Sequence, residues 1–167
     1  MLQQTQVKTV VPYFNKFVKK IPSLKTLSYC NEKKVLKMWE GLGYYRRAKN
    51  LLKTSKILIN KYSGKIPNTF AELKELPGIG DYTANVLLAL IYNQPRIALD
   101  GNVKRVLFRL FKLSKCNEKN LFKTKRNDDF AEALIEFGAL ICKPKEPKCF
   151  QCDIKNICSF YKSKAKI

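Results

Sequence analysis

The sequence contains no histidine, and that absence removes more chemistry than any single motif adds. Without an imidazole there is no Ser-His-Asp triad, no Cys-His nucleophile pair and no His-ligated zinc. Acidic residues are scarce as well: 13 Asp and Glu stand against 33 Lys and Arg, leaving a formal net charge of +20. No apolar run approaches the roughly 18 residues that a membrane-spanning helix needs. The start, Met1-Leu2-Gln3-Gln4-Thr5-Gln6-Val7, lacks the basic region and apolar core of a secretory signal. The chain therefore reads as intracellular: cytoplasmic and nucleoid-associated in a bacterium, with an organelle or the nucleus as the eukaryotic equivalents. No membrane partner is expected. Internal repeats, low-complexity linkers and alternating strand patterns are also missing.

What is present fits one domain or two small fused ones, at 167 residues. Folding at this size buries roughly 70% of the unfolded chain's surface, so a stable core needs no disulfides. Part of the charge is lysine bias on a solvated surface. A compact domain at +20 nevertheless repels itself unless a polyanion compensates, and nucleic acid is the polyanion this composition favours.

The apolar pattern is helix, short turn, helix throughout, so the expected class is all-α. Val7, Val10, Val11, Phe14, Phe17 and Val18 form a stripe at helical spacing, with Pro12 inside it as an expected kink or break. Further helices are expected over 32–40, 45–61, 69–75 (capped by Thr69), 81–92 and 129–141. Asp100 or Asn102 suits the cap of another, whose stripe is Val103, Val106, Leu107, Leu110 and Phe111. Residues 116–128 read as a polar loop and 159–167 as a short basic tail.

Three features carry chemistry. Leu76-Pro77-Gly78-Ile79-Gly80 joins two helices through glycines that permit close backbone approach, and the amides that follow open a helix where an anion is welcome. A plain connection needing small residues would look similar; Thr83 just after it and the charge favour a DNA phosphate. Asp100 precedes Gly101-Asn102-Val103, which is ordinary helix-cap chemistry and equally a way to fix a carboxylate. Cys142, Cys149, Cys152 and Cys158 are spaced C-x6-C-x2-C-x5-C. In an intracellular chain that cluster reads as metal before disulfide. Zinc usually takes two close C-x2-4-C pairs, so one close pair suits it less well. Cys30 and Cys116 stand apart as buried or free thiols.

Leu76-Pro77-Gly78-Ile79-Gly80-Asp81-Tyr82-Thr83-Ala84 resembles the helix–hairpin–helix of the base-excision DNA glycosylases. Ala98-Leu99-Asp100-Gly101-Asn102-Val103-Lys104-Arg105-Val106 resembles the segment that carries that superfamily's aspartate, and Met1–Val7 with Gly41-Leu42-Gly43-Tyr44-Tyr45 resembles two further motifs of its adenine-specific branch. The resemblance spans almost the whole chain, with its motifs in order. It implies a six-helix domain over 1–94 with the hairpin at about 69–92, and a cluster subdomain over 95–167. It implies a [4Fe–4S] cluster on Cys142, Cys149, Cys152 and Cys158, a ligation that suits such a cluster. Lys143, Lys145 and Lys148 would then form a clamped basic loop against the DNA backbone.

The same resemblance implies roles for other residues. Asp100 would stabilise or attack the positive charge that builds on the sugar as an N-glycosidic bond breaks. Asn102 would assist by hydrogen bonding. Gly78, Gly80 and Thr83 would meet phosphate. Gln4 and Tyr44 would fill or wedge the duplex once the target base leaves the stack, and Leu42 would support the same wedge as part of that DNA-binding set. Tyr82 occupies the place where the endonuclease III branch has a lysine that forms a Schiff base and cuts the strand. The implied enzyme is a monofunctional hydrolase of N-glycosyl bonds, acting as a monomer on double-stranded DNA with A:8-oxoguanine or A:G mispairs. An endonuclease III-like glycosylase/lyase and an inactive iron–sulfur DNA-binding remnant are the alternatives. The family's general-acid glutamate lies two residues before the position of Met1, so either an upstream start or a crippled enzyme is expected. The usual C-terminal domain that reads 8-oxoguanine is likewise not in the sequence, and weaker mispair contrast is expected.

Overall fold

The computed structural model describes residues 1–112 and 124–164. Cys116 and most of the expected polar loop lie outside them. Helices are the regular elements among the described residues, as the all-α expectation requires. The chain divides into two compact units, Met1–Ile79 and Gly80–Ile167. The sequence suggested a division after residue 94. The helix over 81–92 packs against a later helix of the second unit, which is why the observed division falls inside the hairpin.

The first unit contains α1 (Val7–Lys20), α2 (Leu24–Ser28), α3 (Glu32–Met38), α4 (Arg46–Tyr62) and α5 (Phe70–Glu75). Side chains fix three of the starts: Ser23 Oγ accepts from the Thr26 amide, Asn31 Oδ1 from Lys34 and Thr69 Oγ1 from Glu72. The helix α2 has no counterpart in the sequence reading, because five residues are too few to show a period. Pro12 does not break α1. It forfeits one backbone hydrogen bond, and burial of Val10 and Phe17 on either side of it holds the helix together. The expected six-residue stripe splits: Val10 and Phe17 enter the core, whereas Val7, Val11, Phe14 and Val18 lie on an adjacent, exposed face. The core centres on Trp39, whose ring meets Phe17 edge-on at 6.2 Å, with Val35, Ala48 and Leu52 around it.

The second unit contains α6 (Asp81–Tyr92), α7 (Gly101–Phe111), α8 (Asn127–Leu140) and α9 (Ser159–Lys164), with single 3₁₀ turns at Cys149–Gln151 and Lys155–Ile157. The segment expected as a basic tail is therefore helical over most of its length. The helix α7 buries Val103, Val106, Leu107 and Leu110, while Phe111 stays exposed. Asn93, left-handed at the end of α6, accepts from the Asn127 amide at 2.7 Å. Asn127 returns a side-chain bond to the Asn93 carbonyl at 2.8 Å. This pair, with Asn127 buried and Asn93 exposed, ties the start of α8 to the end of α6.

Candidate active site and metal centre

Asp100 caps α7, and its two oxygens are engaged differently. Oδ1 accepts the Val103 amide at 2.7 Å, and Oδ2 accepts Asn102 Nδ2 at 3.3 Å. The carboxylate is half-buried and faces the free-amide end of the helix, where negative charge is favoured. Tyr82, in the first turn of α6, has its phenol pushed up by partial burial and then by the charge of Asp100. Both candidate catalytic groups thus belong to helix starts of one unit and feel one another electrostatically.

The orientation of Asn102 is set from behind. Its Oδ1 accepts Arg105 Nη2 at 2.8 Å, which turns its NH2 toward Asp100. Arg105 also donates to the carbonyls of Gly138 (2.7 Å) and Cys142 (2.9 Å). Gly138 is required here, since a Cβ would sit 2.8 Å from Asn102 Cβ. One turn on, Arg109 donates to the carbonyls of Lys143 (2.6 Å) and Pro144 (2.9 Å), approaches Cys142 Sγ at 3.5 Å and lies over the Phe160 ring. Sequence reasoning missed both arginines. Their i, i+4 spacing on α7 was visible, but their carbonyl partners are more than thirty residues away.

Cys142, Cys149, Cys152 and Cys158 line one recess of about 410 Å³, open solvent at its mouth included. The Cys152 thiol is pushed up, chiefly by burial and further by Cys158, Cys142 and Cys149; a backbone bond at Ile154 pulls the other way. The four cysteine sulfurs share one half-buried recess. Among the described residues no group of three or more ligating side chains is set for a metal ion as it stands; four cysteine sulfurs on one recess are a donor type that zinc and iron–sulfur clusters both take.

The other expected residues separate by exposure. Tyr44, Gln4, Gly78, Gly80, Lys145 and Lys148 are exposed, and Lys143 and Thr83 are half-buried. Leu42 is buried in the core of the first unit, so any part it has in the wedge is support from beneath its turn. Gly78 is left-handed at φ +83°, and its carbonyl accepts Gln3 Nε2 at 3.3 Å. The neighbouring Pro77 carbonyl accepts Thr54 Oγ1 at 3.0 Å. Gly80 has ordinary backbone geometry and begins α6 with no side-chain cap.

Residues 1–130, which include the hairpin and Asp100, match the HhH-GPD superfamily of base excision DNA repair proteins. The chain belongs to that superfamily. The adenine DNA glycosylase of Buchnera aphidicola subsp. Baizongia pistaciae (strain Bp) is 47% identical to it over 171 residues, covering 96% of this chain and 49% of that protein. A thermostable thymine-DNA glycosylase structure aligns with a TM-score of 0.84 at 26% identity, covering 97% of this chain and 80% of that one. An endonuclease III–DNA complex aligns at 0.78 and 27% identity, covering 99% and 82%. The HhH-GPD chain described here spans about half the length of the curated relatives it matches. No described helix is long and apolar enough to cross a membrane.

Proposed function

We propose that this HhH-GPD chain removes adenine mispaired with 8-oxoguanine or guanine from double-stranded DNA, leaving an abasic site and acting as a monomer. The observation that carries the reading is the start of α7, where Asp100 caps the helix, accepts a bond from Asn102 and is felt electrostatically by Tyr82. Breaking an N-glycosidic bond builds positive charge on the sugar, and a fixed carboxylate stabilises it. The relatives named adenine DNA glycosylase support the choice of base. Tyr82 supports hydrolysis without strand cleavage, since a phenol forms no Schiff base. Gly78, Gly80 and Thr83 would hold a backbone phosphate, and Gln4 and Tyr44 would occupy the opened stack. Cys142, Cys149, Cys152 and Cys158 would hold a [4Fe–4S] cluster, which when bound supplies a rigid four-point staple. Lys143, Lys145 and Lys148 then present charge to the DNA backbone from a fixed loop.

Asp100→Asn tests the reading, because asparagine caps a helix as well as aspartate does. Single-turnover release of adenine from an A:8-oxoguanine duplex is expected to fall by about 10²–10³-fold, with thermal midpoint and DNA affinity retained. The native protein should leave the abasic product uncut and give no borohydride-trapped adduct. Efficient trapping would move it to the lyase class. Binding by the native chain without any base release would make it a DNA-binding protein.

A further inference from the structure

Two turns of the first unit, far apart in sequence, each hold a left-handed residue that is not glycine. Gln4 has φ 58° and Tyr44 has φ 49°. Side chains resist that region, so such turns persist where their surroundings over-determine them. One guanidinium surrounds both. Arg47, in the first turn of α4, donates through Nη1 to the carbonyls of Met1 and Gln3 (the latter at 2.6 Å) and to Thr5 Oγ1 at 3.0 Å. Through Nη2 it donates to the carbonyls of Gly43 at 3.2 Å and Leu42 at 3.4 Å. Its plane also lies 5.6 Å from the Trp39 ring centroid and 5.4 Å from that of Tyr44. Its Nε is buried with no hydrogen-bond partner among the described residues. The side chain thus gives up one of its own bonds to keep the other two nitrogens on the two turns.

We infer that Arg47 is the positioning residue of the duplex-opening apparatus: it locks the Met1–Thr5 and Leu42–Tyr44 turns in one arrangement and so fixes where Gln4 and Tyr44 are presented. It acts through those turns and does not itself meet DNA. Gln3 extends the arrangement to the hairpin through its bond to the Gly78 carbonyl. What the turns do rests on the glycosylase reading above; that Arg47 fixes them does not. Lysine cannot replace it, because a single ammonium lacks the planar fork that reaches both turns and the flat face that lies on two rings.

Arg47→Lys keeps the charge and is the test, with Arg47→Gln scored identically should the lysine variant fail to fold. Hydrogen exchange reads the turns directly. The Thr5 and Leu42 amides, bonded to the Leu2 and Trp39 carbonyls, should exchange at least about tenfold faster than in the native chain. The Cys30 amide, bonded to the Leu27 carbonyl within the same unit, should keep its native rate. On a duplex carrying 2-aminopurine in place of the target adenine, the variant should lose the fluorescence rise that reports unstacking, while affinity for undamaged duplex stays within about threefold. Native protection at Thr5 and Leu42 overturns the inference. So does equal acceleration at Cys30, which would mean general destabilisation. A native protein that gives no fluorescence rise overturns the base-opening reading, and the exchange rates still decide the role of Arg47.

Discussion

Asp100 was legible in the sequence because a cap and a catalytic carboxylate ask for the same residue at the same place: an acid just ahead of an apolar helix. The cap is what the structure shows, with one oxygen serving the helix and the other facing Asn102. Arg47, Arg105 and Arg109 were not legible, since their partners are carbonyls, which every residue has. In a chain with 33 basic residues nothing marks three of them as half-buried anchors. Tyr82 supplies a prediction at this scale. Burial and the Asp100 charge raise its phenol in the folded state, so the folded chain keeps that proton at a pH where the unfolded chain releases it. Stability from this group is therefore fully present below the unfolded value of about 10 and is lost as pH rises through the folded one. Thermal unfolding between about pH 8 and pH 11 should show a shallower alkaline fall for Tyr82→Phe than for the native chain. Equal slopes would mean that neither burial nor Asp100 raises the phenol in the folded chain.

Elements were readable where they were long, and one short one, α5, through its cap. Helix α6 follows its expected bounds, and α5 starts at the expected Thr69 cap. The short helices α2 and α9 escaped, because five or six residues show no period and their burial is decided by neighbours. The hairpin between α5 and α6 was found as a motif, yet its two glycines turn out to differ. Gly78 needs its φ of +83°, and a Cβ there would lie 2.8 Å from Asn50 Nδ2. Gly80 has no atom within 4 Å of such a Cβ. Gly78→Ala should lower unfolding stability by about 1–3 kcal/mol in denaturant titrations. Gly80→Ala, at an N-cap, should cost less, about 0.5–1 kcal/mol. If the start of α6 grips phosphate, Gly80→Ala should nonetheless weaken DNA binding, because its methyl enters the space a phosphate would use. An alanine at 80 that changes neither quantity removes phosphate contact from that turn, leaving the hairpin a connection between helices.

At the scale of the whole molecule the +20 charge decides the response to salt, and it does so with two opposite signs. Among the described residues the ion pairs Lys49–Glu32, Lys61–Glu75 and Arg126–Asp129 all lie at the surface, where water and salt screen them and their contribution is small. They cannot offset the mutual repulsion of so many cations. Added salt screens that repulsion, so the thermal midpoint of the free chain should rise with ionic strength. The same salt competes with the chain for phosphate, and log affinity for duplex should fall by about 0.9 per log unit of salt for each phosphate neutralised. Contact with about six phosphates would give a slope near −5. Replacing Lys145 and Lys148 by Gln should make that slope shallower by about 2 if both lysines meet the backbone, and should raise the low-salt midpoint by relieving repulsion. A slope unchanged by both substitutions, with the midpoint raised, would make these lysines a solvated face. The cysteine-held loop would then serve the fold of its own unit and carry no DNA contact.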